Sequence, residues 1–172
     1  TDADFEDLIA RAARLSPWLR FYDKIIGKAD NLEPFRDGMD AILSIWSKKH
    51  FMGGQSDRSV EIITVSREKL RRNDPLENQK RKSIGISAKK IIADLIEPLQ
   101  TKHQVKIILH LKEDRQSMFH DRFLESKQAV LEFERGFDLF GYEGKRRKNF
   151  VSMANNLRME LAEIYNLPSI GF

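Results

Sequence analysis

The sequence predicts an α/β fold in which a mixed β-sheet is flanked by helices on both faces. Three observations lead there: apolar residues recur at helical spacing in several segments, short branched runs stand between those segments, and Gly, Pro, Asn and Asp separate the two kinds. A chain of 172 residues with 41% hydrophobic content can bury one sizeable core without a covalent staple.

From the N-terminus, Asp4 to Leu15 sets Phe5, Leu8, Ile9, Ala12 and Leu15 on one helical stripe, with acidic residues in the first turn where the helix dipole favours them. Pro17 ends this helix, which gives a division into an N-terminal helix, 1–16, and a domain, 17–172. Trp18 to Ile26 reads as a strand, followed by a turn over Gly27 to Asn31. Asn31 is placed to cap the next helix, with Pro34 in its first turn and Phe35, Met39, Ile42, Leu43 and Trp46 on one face. After a Gly53-Gly54 loop, Val60 to Val65 is a nearly continuous branched run, the pattern of a central strand covered on both faces. Arg67 to Lys82 is charge-rich, contains Asn73-Asp74-Pro75 and reads as loop. Ser87 to Gln100 repeats Ile91, Ile92, Leu95, Ile96 and Leu99 at helical intervals, with Pro98 near the end, and Val105 to Leu111 is a second buried strand. Phe119 to Leu124 and Ala129 to Phe133 form a hairpin joined by Glu125 to Gln128. A closing helix from Gly144 to Tyr165 aligns Phe150, Met153, Leu157, Leu161 and Ile164.

Composition excludes several classes of function. The absence of cysteine removes disulfides, thiolate nucleophiles and Cys-based zinc sites. No apolar run approaches the roughly 18 residues of a transmembrane helix and no signal peptide opens the chain, so a cytoplasmic protein is expected. The missing initiator Met points to one domain of a larger multidomain protein. No P-loop, G-x-G-x-x-G or G-x-S-x-G pattern occurs, and His50, His103 and His110 lack metal-ligand spacing, so neither a cofactor nor a metal is expected. Thirty Lys and Arg against 26 Asp and Glu give a formal charge of +4, which permits an anionic partner and leaves the local distribution to decide.

That distribution singles out Phe119-His120-Asp121-Arg122-Phe123 and, downstream, Arg135-Gly136-Phe137-Asp138. On a strand, His120 and Arg122 share a face, so one ligand would meet an imidazole and a guanidinium together. The guanidinium presents a planar fork to two phosphate oxygens, while His can act as nucleophile, proton donor or plain hydrogen-bond donor. Gly136 lets backbone approach closely, and Asp121 or Asp138 can orient a ring or a guanidinium. A second basic group, Lys145, Arg146, Arg147 and Lys148, opens the expected closing helix, where the positive end of the dipole makes four cations unfavourable unless an anion joins them. The plainer reading pairs Arg122 with Asp121 or Asp138 as a structural hairpin and leaves the basic group solvated.

His120-Asp121-Arg122, the apolar hairpin after it, Arg135-Gly136-Phe137-Asp138 and the earlier Phe21-Tyr22-Asp23-Lys24-Ile25-Ile26 resemble motifs of the C-terminal domain of microtubule-interacting-and-trafficking (MIT) proteins, a phospholipase-D-like fold. The resemblance spans Trp18 to the C-terminus and implies a phospholipase-D-like half-fold. It further implies a phosphate-recognising module of the non-catalytic kind that family shows, with nucleic acid, another polyanion or an anionic phospholipid membrane surface as ligand. Anion-binding residues would be His120, Arg122, Arg135 and the cluster of Lys145, Arg146, Arg147 and Lys148. The catalytic alternative is a metal-independent phosphodiesterase or nuclease with His120 and Arg122 as catalytic residues. Active members of the superfamily carry H-x-K and use two histidines; here Arg122 stands at the Lys position and one chain supplies one such His, so catalysis would need a homodimer. Glu134 stands where the family's G-R-G-L-D pattern begins with Gly. A protein-docking or dimerisation domain using the Asp4 to Leu15 helix completes the alternatives.

Overall fold

Branched and aromatic residues concentrated in short runs pair into one six-stranded sheet of order β3-β2-β1-β4-β5-β6. The computed structural model describes residues 2–24, 26, 29–49, 58–65, 87–113, 121–134, 136–137, 139 and 151–171. The strands are β1 Trp18–Tyr22, β2 Ser59–Val65, β3 Lys106–Lys112, β4 Phe123–Ser126, β5 Val130–Phe133 and β6 Val151–Met153. Among them β1, β2 and β3 are parallel, whereas β4 joins the other edge of β1 antiparallel and continues through β5 and β6. The mixed α/β architecture expected from sequence is therefore present.

Helices α1 (Asp2–Ala13) and α2 (Ala29–Lys49) cover one face together with α3, a composite of an α-turn Ala88–Ile91, a π-helical segment Ile92–Ile96 and an α-helical end Glu97–His103. Their buried Ile9, Leu43, Trp46, Leu95 and Leu99 merge with Leu19, Phe21, Ile62, Leu109 and Leu131 of the sheet into the larger apolar core. Pro98 accounts for the π segment: it has no N–H for the carbonyl four residues back, and the ladder widens so that the Glu97 N–H reaches Ile92 O. Helix α4 (Arg158–Tyr165), entered through a 3-10 turn at Asn155–Leu157, lies on the opposite face, where Leu161 and Ile164 pack on Tyr22, Ile63, Val65, Phe123 and Val130.

Helix α1 is built into the fold. Ile9, Ala12 and Ala13 are buried in the larger core, and the turn between β4 and β5 closes its C-terminal end. Gln128 Oε1 accepts from Leu15 N at 2.7 Å, Gln128 Nε2 donates to Arg11 O at 3.2 Å, and Ser126 Oγ donates to Ala12 O. The outer edge of β3 is blocked in a similar way, with Gln100 Oε1 accepting from Ile107 N and residues 168–170 pairing beside Leu111 to Glu113.

Four sequence expectations change. The strand expected over Phe119 to Leu124 begins at Phe123 and runs to Ser126, so Arg122 precedes it and the strand argument for His120 and Arg122 sharing a face does not apply. The first strand ends at Tyr22, short of Ile26. Helix α2 starts at Ala29, so Asn31 is helical and Pro34 lies inside the helix. The closing helix starts only at Arg158, because Val151–Met153 pairs with β5 and Asn155 Oδ1 accepts from Val130 N at 2.7 Å, ending the strand. The apolar spacing that suggested one long helix straddles a strand and a helix. Lys145, Arg146, Arg147 and Lys148 therefore do not sit at the N-terminus of the helix holding Leu161 and Ile164, and the dipole conflict expected there is withdrawn. The loop expected over Arg67 to Lys82 lies outside the described residues.

The second face carries a polar network at its centre. Glu61 on β2 accepts from Arg20 Nε at 2.8 Å, from Tyr165 Oη at 2.7 Å and shares a 2.7 Å hydrogen bond with His110 Nε2, tying β1, β2, β3 and α4 through one carboxylate. Arg20 lies 4.0 Å from the Tyr165 ring centroid and 4.7 Å from that of Trp18. Burial opposes the Glu61 charge, yet the hydrogen bonds from Arg20, Tyr165 and His110 outweigh it and hold the carboxyl below its ordinary range. Asp40, between Lys102 and His103 of α3, behaves alike: burial pushes its pKa up, and those two partners pull it lower overall.

Because the folded pKa of Glu61 lies below the unfolded value, its stabilisation is complete above the unfolded carboxylate range, about pH 4.3, and is lost as pH falls through the lower folded value. Glu61→Gln should lower stability by about 1 to 2 kcal/mol at neutral pH, since Arg20 then keeps only the more distant Glu125 carboxylate at 3.6 Å. Thermal melts from pH 7 to pH 3 should show the gap to wild type closing as the pH falls below 4; a constant gap would mean that the carboxylate charge is irrelevant.

Candidate functional site

The carboxyl ends of β1 and β2 meet the start of β4 at the place where the chain, having run outward through β2 and β3, returns to the far side of β1. In open α/β sheets, ligands bind outside the carboxyl ends of the strands at such a switch in strand order. Register defines which residues meet there. Tyr22 stands opposite Ile63 on one side and Phe123 on the other, so Asp23 follows between Thr64 and Arg122, and its N–H donates to Ile63 O at 3.1 Å. Thr64 pairs with Leu111, and Phe133 N donates to Arg122 O at 2.9 Å. A single row therefore crosses the sheet: Leu111, Thr64, Asp23, Arg122, Phe133. Side-chain alternation puts Thr64 with Ile62, Asp23 with Phe21 and Arg122 with Leu124, all on the face of the larger core.

Two glycines set the packing beside this row. Gly136 has φ +70°, the left-handed region that other residues adopt at a cost, and a Cβ there would stand 3.2 Å from Arg122 Nε. Its missing side chain leaves the space occupied by the stem and Nε of Arg122. Gly38 on α2 faces the same segment from behind, where a Cβ would fall 1.7 Å from Phe137 O. The helix thus contacts backbone directly, and Phe137 is held among Phe21, Phe35 and Phe133 at centroid distances of 5.1, 5.4 and 4.8 Å.

Arg122 is half-buried, and its guanidinium reaches one protein acceptor, Glu134 O, at a long 3.5 Å. Among the described residues no carboxylate lies within ion-pair distance of it, and Asp121 beside it is exposed. A guanidinium with five N–H donors and one distant acceptor retains most of its capacity to bind an anion. Of the other residues selected from sequence, His120, Arg135, Asp138, Lys145, Arg146, Arg147 and Lys148 lie outside the described residues. Sequence reasoning did not assign Asp23, Thr64 or Gly38 to the site. A signal existed for Thr64, the lone hydroxyl in the carboxyl half of an aliphatic strand.

No group of three or more His, Asp or Glu side chains among the described residues is arranged to hold a metal ion. No described helix is long and apolar enough to cross a membrane. The chain matches no protein-family model and no curated protein sequence.

Gly38→Ala should be destabilising despite the better helix propensity of alanine, worth up to about 1 kcal/mol, because the opposing atom is a backbone carbonyl that no rotamer change can move. A net loss of about 2 kcal/mol from overpacking is expected, seen as a melting-temperature drop of roughly 4 to 8 °C. An unchanged or raised melting temperature would show that the 136–139 segment is not held against α2.

Proposed function

We propose that this chain is a phosphate-recognising module of phospholipase-D-like half-fold that binds nucleic acid or another polyanion without hydrolysing it. The observation that carries this reading is the position of Arg122: half-buried at the carboxyl end of the parallel strands, packed over Gly136, and without a described carboxylate partner. A structural ion pair with Asp121 would have filled the guanidinium; among the described residues no carboxylate does so, which leaves its donors for a ligand. His120 and Arg135, adjacent in sequence to Asp121 and Gly136, and the basic Lys145 to Lys148 stretch would supply the remaining positive character. Binding is preferred to hydrolysis because the phosphodiesterase chemistry requires two histidines at one phosphorus, one attacking and one protonating the leaving oxygen. The absence of cysteine fits a reducing, cytoplasmic setting.

Fluorescence anisotropy with a short labelled single-stranded oligonucleotide tests this. Affinity should fall steeply with added salt, and Arg122→Gln should weaken it by about tenfold or more, the scale of one charge-assisted hydrogen-bond set, while the melting temperature stays near wild type. If Arg122→Gln binds as wild type does and melts lower, Arg122 is a structural residue and the reading is wrong.

A further inference from the structure

The face opposite the larger core is covered along only part of its length. At the carboxyl ends of the parallel strands and on the neighbouring hairpin, Tyr22, Ile63, Val65, Phe123 and Val130 are buried against α4. Toward the amino ends of β1, β2 and β3 burial alternates instead, and the residues of this face stay half-buried or exposed. Register and side-chain alternation identify them: Lys106, Ser59 and Trp18 form one cross-strand row, and Ile108, Glu61 and Arg20 the next, with His110 following on β3. Among the described helices α4 alone lies on this face, and it reaches these rows only at their rim, through Arg158 and Tyr165. Parallel strands are nearly always covered on both faces, because their connections carry helices over each. The amino-end rows of β1, β2 and β3 depart from that rule.

The charges of this region indicate what would cover it. Its carboxylates lie deepest: the Glu61 and Glu125 side chains are 12% and 7% exposed, whereas their partners Arg20 and Arg158 are 26% and 38% exposed. Glu61 is satisfied by Arg20, Tyr165 and His110, and Glu125 by Tyr22 and Arg158. Lys106, at the corner of the open rows, is exposed and has no ion-pair partner among the described residues. The charge turned to solvent is therefore positive, and half-buried Ile108 and Trp18 stand between the cations. Apolar contact edged by cationic groups is complementary to a polypeptide that spaces carboxylates among apolar side chains. It suits a nucleic acid less, because the Arg20 guanidinium already lies 4.7 Å from the Trp18 ring centroid and 4.0 Å from that of Tyr165, on the ring faces a base would stack against.

We propose that the open amino-end rows of β1, β2 and β3 are a docking surface for an acidic segment of a partner protein, whose carboxylates meet Lys106, Arg20 and Arg158 and whose apolar side chains rest on Ile108 and Trp18. The surface is independent of Arg122, which precedes β4 at the opposite end of the sheet.

The test titrates the whole chain with three short synthetic peptides that alternate Leu with Glu, with Gln or with Lys, followed by the amide and Trp18 indole chemical shifts. The Glu–Leu peptide should shift Trp18, Lys106 and Ile108 saturably and should be released by salt. The Gln–Leu peptide should bind about three- to tenfold more weakly, and the Lys–Leu peptide should leave these residues unmoved. Lys106→Glu, a change at an exposed position, should melt near wild type and weaken Glu–Leu binding by about three- to tenfold, the scale of reversing one exposed ion pair, whereas Arg122→Gln should bind this peptide as wild type does. A silent face, a Gln–Leu peptide bound as tightly as Glu–Leu, or undiminished binding by Lys106→Glu overturns the proposal. So does a shift of the same residues on raising the protein concentration without peptide, which assigns the face to a second copy, or a shift of them by a single-stranded oligonucleotide in place of the peptide, which assigns it to nucleic acid.

Discussion

Strand β1 pairs parallel with β2 on one edge and antiparallel with β4 on the other, and the rest of the molecule is arranged around that constraint. A parallel neighbour requires a crossover, which α2 supplies and which carries an apolar stripe over one face of the sheet. An antiparallel neighbour brings the start of β4 to the carboxyl end of β1. Residues far apart in the chain, Asp23, Thr64 and Arg122, are thereby brought into one transverse row where the parallel and antiparallel halves of the sheet meet.

The two faces differ in how their polar groups are satisfied. On the α1–α3 face the apolar core extends to the row itself; Gly38 lets α2 meet the Phe137 carbonyl where a methyl group would collide, and Gly136, at φ +70°, leaves close packing room for the Arg122 stem. On the α4 face Glu61 satisfies donors from three elements, and Glu125 accepts from Tyr22 Oη at 2.9 Å and Arg158 Nη1 at 3.1 Å. Burial first and Glu125 second push the Tyr22 hydroxyl far above its ordinary pKa, which keeps it a neutral donor. These groups are matched to one another, in contrast to Arg122, which has no carboxylate partner among the described residues. Buried charge that is internally paired supports the fold; charge that is shaped but not paired is what an external anion can use.

Much of this was legible in the sequence, and the failures have physical causes. The stripes of α1 and α2 and the branched runs of β2 and β3 follow the 3.6- and 2-residue periods closely, because each element buries one face or both against a continuous core. The segment from Phe150 to Ile164 deceived because Met153 and Leu157 keep helical spacing across the change from β6 to α4, a change made by Asn155 binding the neighbouring strand. The π segment in α3 depends on how a proline at 98 is absorbed, which spacing does not encode. Arg122 announced itself through its neighbours His120 and Gly136, whereas Thr64 and Asp23 join the site only through register between strands, a tertiary fact.

The central claim is that phosphate is gripped at the carboxyl-end junction of β1, β2 and β4. Backbone amide chemical shifts during titration of the protein with a short single-stranded oligonucleotide test it most directly. The account predicts salt-sensitive shifts concentrated at residues 22–24, 63–65, 121–123 and 136–137, with Trp18, Arg20 and Tyr165 on the opposite face unmoved. Saturable shifts confined to that opposite face, with the junction silent, would contradict it.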